Sequence, residues 1–172
     1  TLFCDSAVAC RVPYETEEAP IVPCTVSTAL DCGWCWTIPL QDRIGRGYVY
    51  SSRYTDRSGA EESLRKLIGE ETMKDVSPIH LSFRVGYRQE QWRKNCIAIG
   101  LSGGFVEPLE STAIYLVDIA LRWLVDMFPT QEDMEIPARE FNKRITAAYS
   151  DVIDFVKLHF VLGDRDEPFW AD

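Results

Sequence analysis

The sequence predicts an α+β fold, with antiparallel sheet strands followed by a mainly helical C-terminal region. Two patterns predict it. Residues 21–30, 34–38 and 48–52 are rich in Val, Ile, Thr, Tyr and Trp, the composition of strands. In the last third, apolar residues recur instead at the 3.6-residue period of a helix. A content of 46% hydrophobic and 12% aromatic residues supplies a core and excludes a disordered chain. The chain divides by composition into a sheet-rich part, 1–110, and a helical part, 111–172.

Taken in order, the first thirty residues hold short apolar runs around an acidic segment with Glu15, Glu17, Glu18 and Pro20, which reads as a loop. The three β-type runs form a hairpin or meander, with 41–47 and its Gly45-Arg46-Gly47 as the turn. Residues 61–68 predict a short helix striped by Leu64, Leu67 and Ile68, with Glu61 and Glu62 in its first turn, where the helix dipole favours acids. Residues 79–85 and 96–100 read as further strands, and 84–94 between them as a polar, solvated face. Residues 112–128 are apolar nearly all round, which predicts a helix buried between layers and stopped by Pro129. Residues 138–162 predict a long helix with Phe141, Ile145, Ala148, Val152, Phe155, Val156, His159 and Phe160 on its stripe, His159 as a hydrogen-bonded core residue. Strands at the N-terminal edge are expected to pair with a sheet outside this chain.

Charge narrows the function. Eighteen Lys and Arg against 27 Asp and Glu give 18 − 27 = −9, which repels a phosphate backbone, so nucleic acid is not an expected partner. No run of about 18 uncharged apolar residues occurs, so no membrane span is expected. The start at Thr1, without an initiator Met or a signal-peptide layout, reads as a piece of a longer cytoplasmic protein. Its six cysteines are accordingly expected as reduced thiols. Cys32-Gly33-Trp34-Cys35 has the spacing of a redox pair, but the residues after it read as a strand instead of the helix that would lower a thiol pKa. His80 and His159 fit no zinc pattern, and no metal is expected.

The segment 98–118 carries the most chemical information. A strand leads through Gly103 and Gly104 to Glu107-Pro108-Leu109-Glu110-Ser111-Thr112 and a helix start. Glycines permit close backbone approach, and a helix N-terminus offers N–H groups and positive potential to an anion. Ser111 or Thr112 is placed to cap the helix. An ordinary strand-to-helix connection with stabilising acids explains the same residues equally well.

Two longer motifs favour function. Gly33-Trp34-Cys35-Trp36-Thr37-Ile38-Pro39, followed by Gly45-Arg46-Gly47-Tyr48-Val49-Tyr50-Ser51-Ser52, and Gly104-Phe105-Val106-Glu107-Pro108-Leu109-Glu110-Ser111-Thr112 occur with Phe83-Arg84-Val85-Gly86, Trp92, Asn95-Cys96 and Phe169-Trp170. In this order they resemble the flavin-dependent tryptophan halogenases. The resemblance implies part of a flavin-monooxygenase-like FAD-binding fold. It also implies use of FADH2, oxygen and chloride or bromide to halogenate tryptophan or a related indole, with a separate flavin reductase as partner and room for a homodimer. It assigns catalysis to Glu110 and Ser111, chloride binding to the N–H groups of Thr112 and Ala113, and flavin contacts to Trp34, Trp36, Gly103, Gly104 and Ala113. The family usually has Gly where this chain has Ala113. Phe169 and Trp170 match aromatics that sandwich the indole, and Asp166 or Arg165 stands where relatives carry an acid for the substrate ammonium. The family's dinucleotide-binding motif and catalytic lysine belong upstream and are absent from these residues, so the isolated piece is expected to be inactive. A flavin-dependent aromatic monooxygenase, or a non-catalytic remnant serving as an interaction module, remain the alternatives.

Overall fold

A computed structural model describes residues 4–16, 18–129 and 134–171; Glu17 of the acidic loop lies outside them. The described residues form two compact units, one up to Phe83 together with those from Gly163 on, the other Arg84–Leu162. This division by packing falls elsewhere than the division by composition at 110/111. The short ladders before residue 110 belong with the long helix, because that helix supplies their hydrogen-bond partners.

The first unit is built on a five-stranded antiparallel sheet of β1 (Ser6–Val12), β2 (Val26–Leu30), β3 (Gly33–Pro39), β4 (Ile44–Tyr50) and β5 (Ile79–Ser82), in the order β2-β3-β4-β1-β5. The missed strand, β1, is internal, paired along its whole length with β4 and over four residues with β5. The N-terminal edge therefore finds its sheet within this chain. β2 begins at Val26, five residues later than expected, after Pro20 and Pro23, which cannot donate to a ladder.

Gly45-Arg46-Gly47 is strand, not turn. The turn is tighter, closed by Leu40 N donating to Arg43 O at 2.8 Å, so that Ile38, Thr37 and Trp36 face Gly45, Arg46 and Gly47. Gly47 is required there by packing: a Cβ would stand 2.1 Å from Cζ2 of Trp36. Gly33, at φ 153°, brings the start of β3 against the Val49 carbonyl, where a Cβ would clash at 1.9 Å.

One face of the sheet contributes Val8, Cys10, Val12, Cys35, Tyr48 and Tyr50 to a core closed by Ala60, Leu64 and Met73 from α1 (Arg57–Ile68) and α2 (Glu70–Met73). Each large side chain so buried contributes about 1.5–3 kcal/mol. α1 starts four residues before Glu61, because Asp56 caps it by accepting from Gly59 N at 2.8 Å. Glu61 and Glu62 thus leave the first turn and pair with Arg65 and Lys66 one turn on, at 3.0 and 2.6 Å. All six cysteines are free thiols. Burial pushes the Cys32 thiol up, and that of Cys35 to about 11, opposite to the shift a redox pair needs.

The second unit pairs β6 (Gly86–Tyr87) with β9 (Gly104–Phe105) and β7 (Trp92–Arg93) with β8 (Cys96–Ile97), beside α3 (Thr112–Asp126) and α4 (Glu135–Val161). The expected strands 79–85 and 96–100 end at Ser82 and Ile97; Gly100, at φ 65°, opens a 3-10 turn instead. The stretch 84–94 is not simply a solvated face, since Gln91 and Trp92 are buried in it. Asn142 of α4 holds them: its Oδ1 accepts from Gln91 N and Trp92 N, and its Nδ2 donates to Trp92 O, all at 2.8 Å.

α4 begins before Pro137, whose missing N–H costs nothing in a first turn. It buries Phe141, Ile145, Ala148, Val152 and Val156 of the expected stripe, with Tyr149 beside them, whereas Phe155 is exposed and Phe160 only half-buried. His159 is not core; it is exposed, with Nδ1 2.9 Å from the Phe155 carbonyl oxygen. α3 buries only Thr112, Leu116 and Ala120, while Ile114, Tyr115, Leu121 and Val125 are exposed, so the expected burial on all sides is not found. Among the described residues no helix is long and apolar enough to cross a membrane, and no group of three His, Cys, Asp or Glu residues is placed to hold a metal ion.

Candidate functional site

The motif after β9 folds as a strained connection anchored at its apolar positions. Val106 and Leu109 are buried, and a 3-10 turn (Leu109–Ser111) leads into α3. Glu110 (φ 53°, ψ 30°) and Ser111 (φ 55°, ψ 24°) are both left-handed, a conformation costing roughly 1–2 kcal/mol for each L-residue. Two such residues in succession, neither of them glycine, mark a segment held in shape by its surroundings.

Ser111 occupies the N-cap position but makes no side-chain cap bond. The Thr112 hydroxyl, buried, instead donates to the carbonyls of Glu107 (3.3 Å) and Leu109 (3.1 Å). It fastens the connection from within. The left-handed Ser111 followed by right-handed Thr112 (φ −55°, ψ −31°) is the pairing in which successive N–H groups converge on one concavity, a geometry suited to anions. The Thr112 N–H itself donates to Leu109 O, so of the two expected halide donors it is already engaged. Ala113 belongs to the first turn of α3, where N–H groups lack acceptors within the helix.

Beside this turn lies a cavity of about 250 Å³, lined by Leu101, Phe105, Glu107, Thr112, Ala113 and Tyr149 among others. The methyl of Ala113 thus borders the space. The two acids of the motif differ in environment: Glu110 is exposed, whereas Glu107 is 1% exposed. The resemblance singles out Glu110 alone; the burial of Glu107 has no signal in the motif. Tyr149, also unanticipated here, stacks on Tyr87 with ring centres 4.7 Å apart.

Gly103 and Gly104 serve internal packing. A Cβ at Gly103 would meet Gln91 Oε1 at 2.6 Å, and one at Gly104 would meet Tyr87 Cβ at 2.5 Å. Trp34 and Trp36 share one face of β3, opposite the core face carrying Cys35, and contact edge-on at 6.2 Å. Trp34 is buried and Trp36 half-buried across Gly47.

Phe169 and Trp170 occupy α5 (Pro168–Ala171) in the first unit. Phe169 is buried, edge-on to both Tyr54 and Trp170, and Trp170 Nε1 donates to Leu30 O at 2.7 Å. Arg165 donates to Ala29 O and to Asp31, both at 3.2 Å, and pairs with Glu167, while Asp166 is exposed. Arg165 and Trp170 thus fasten this segment onto the β2–β3 hairpin, while Phe169 packs against Tyr54. Trp34, Trp36, Asp166, Phe169 and Trp170 fall in the first unit, Gly103, Gly104 and Glu110 to Ala113 in the second.

Comparison with known proteins agrees with the motifs. The family model for tryptophan halogenases matches residues 1–172. The 7-chloro-L-tryptophan 6-halogenase KtzR of Kutzneria sp. (strain 744) is 42% identical over 173 residues, covering all of this chain and 33% of that protein. The crystal structure of the tryptophan 6-halogenase SttH of Streptomyces toxytricini matches with a TM-score of 0.93 at 42% identity, over 99% of this chain and 35% of that one. A tryptophan C-6 flavin-dependent halogenase (chlorinase) from taromycin biosynthesis gives 0.93 at 41% identity, over 99% and 34%. The chain thus spans about a third of the length of these relatives. On this match along its whole length, the chain belongs to the tryptophan halogenase family.

Proposed function

We propose that this chain carries the halide and acid–base portion of a flavin-dependent halogenase acting on tryptophan or a related indole. The observation that supports the reading is the left-handed pair Glu110 and Ser111, which leads into the start of α3, where Ala113 offers a first-turn N–H and, with Thr112, borders the cavity.

The residues fit such a site in part. The α3 start suits a halide, and in the other unit the half-buried Trp36 offers aromatic surface to a flat ring system. A Cβ at Gly103 or Gly104 would meet this chain's own atoms, so both glycines are required by packing within the chain whatever else they contact. The family's dinucleotide-binding motif, which is not among these residues, would hold the pyrophosphate end of FAD. When bound, reduced FAD with dioxygen supplies the oxidation that turns halide into an electrophilic halogen.

In this reading the chain's own groups do the following. The Ala113 N–H and the positive end of α3 hold the halide. Ser111 maintains the backbone turn that aims them. Glu110 hydrogen-bonds the electrophile and takes the proton that the ring carbon releases as the halogen replaces hydrogen. A carboxylate stabilises the cationic arene best away from water, so the exposed Glu110 requires covering in the assembled site. A flavin reductase as electron donor, a cytoplasmic location and a homodimer belong to the same reading.

The test is Glu110→Gln in the protein at its full encoded length. Turnover should fall by about 10²-fold or more, the scale of losing one preorganised electrostatic group, with little change in the halide KM. Full activity in that variant would refute the assignment.

A further inference from the structure

A second pocket lies in the first unit, on the core side of the sheet. It has a volume of about 370 Å³ and is walled by Val12, Val26, Pro39, Ile44 and Ile68, with the residues around Tyr14 above them. It opens where the core ends: α1 stops at Ile68, Gly69 turns the chain, and the sheet and helix layers part. Arg46 forms part of its wall.

The position of Arg46 is unusual for a cation. In register it lies between Cys10 of β1 and Thr37 of β3, on the face that carries Tyr48 and the core. Its Nε is buried and meets no hydrogen-bond acceptor among the described residues, nor does Arg46 form an ion pair there. A guanidinium that lines a pocket and meets no acceptor among the described residues is open to an acceptor carried by a ligand.

The neighbours do not supply one. Asp42 is held by Arg43 at 2.7 Å, and Glu15 is exposed on the pocket rim. Cys10 and Cys35 stay neutral, because burial raises both thiols more than the Arg46 charge lowers them. The Tyr14 hydroxyl donates to Leu40 O at 2.8 Å. A single guanidinium in a pocket whose apolar wall is interrupted by Thr37 and Thr72 matches a ligand with one planar anionic head and an apolar body.

We propose that this pocket binds a small monocarboxylate with an aromatic or aliphatic body, its carboxylate accepting hydrogen bonds from Arg46. Arg46 is selected because its fork matches a carboxylate, which the point charge of a lysine matches less well. The site lies outside the residues assigned to halogenation, so its failure leaves that reading untouched.

Calorimetric titration of the protein at full encoded length tests it, with 4-phenylbutyrate and its neutral analogue 4-phenylbutanamide as probes. The carboxylate should bind at least tenfold more tightly than the amide. Arg46→Gln should erase that preference, Arg46→Lys should keep part of it, and Val26→Trp, on an exposed wall, should block the site while Arg46 is intact. Melting curves establish that each variant is folded. Equal affinity for acid and amide, unchanged binding in folded Arg46→Gln, or no binding by the unaltered protein would each overturn the proposal.

Discussion

A methyl group added at Gly47 probes the tryptophan motif directly. In Gly47→Ala the new Cβ would lie 2.1 Å from Cζ2 and 2.3 Å from Cη2 of Trp36. Carbon atoms prefer about 3.5–4 Å, so the indole must withdraw by roughly 1.5 Å or rotate outward. Overpacking of this kind costs about 1–3 kcal/mol, and replacing a strand glycine by alanine returns about 0.5–1 kcal/mol. Because Trp36 is half-buried and can swing toward solvent, the net loss should be near 1 kcal/mol. Gly45→Ala is the matched control: its nearest neighbours, Ile38 O and Ile38 Cβ, stand at 3.7 and 3.9 Å, so no atom need move. Denaturant unfolding should place Gly47→Ala below the unaltered protein and Gly45→Ala level with it or slightly above. Circular dichroism should also lose the coupling of the Trp34–Trp36 pair, now edge-on at 6.2 Å and 60°, in the first variant alone. Equal stability of the two variants with unchanged tryptophan dichroism would refute the packing argument.

Asn142→Ala removes three hydrogen bonds to the buried Gln91 and Trp92 backbone; at about 1 kcal/mol each it should destabilise the protein by ~2–4 kcal/mol, and a thermal melt showing under about 0.5 kcal/mol would contradict the clamp. Native thiol titration should find Cys24 and Cys96 reacting fast, Cys32 more slowly, and Cys4, Cys10 and Cys35 protected until unfolding. Burial raises Cys35 to about 11, against roughly 8.5 for an unfolded thiol. The raised folded value means that its contribution is fully present below about pH 8.5 and is lost as pH rises toward 11. Cys35→Ala should accordingly flatten the alkaline fall in stability between those values; an unchanged fall would assign it to other groups, Tyr48 first among them.

What the sequence made legible depended on whether a residue's reason for being there was local. The stripe of α4 was readable because Phe141, Ile145, Val152 and Val156 repeat at helical spacing on one buried face. β1 was missed because Ala7, Val8, Ala9 and Cys10 form a continuous run of small apolar residues, as strands buried on both faces do, without the alternation that marks a half-exposed strand. The glycines at 45 and 47 suggested a turn, whereas Gly47 is needed for an indole on the neighbouring strand, a contact no local pattern announces. α3 misled in the other direction: its all-round apolar sequence predicted burial, yet Ile114 and Val125 are more than 70% exposed.

The candidate site divides in the same way. Resemblance singled out Glu110, Ser111 and Thr112, and their backbone conformation is indeed special, since left-handed Glu110 and Ser111 stand at the start of α3. Which of the two glutamates is buried, and that the Thr112 hydroxyl ties the turn to Glu107 O, follow only from the three-dimensional path of the chain.

The most direct test of the central claim is product mass spectrometry after the protein, at full encoded length, is incubated with reduced FAD, oxygen and tryptophan, with and without chloride or bromide. The account predicts a product in which one hydrogen is replaced by the halogen supplied, carrying its isotope pattern and absent when halide is omitted. A product that gains oxygen whether or not halide is present would contradict it.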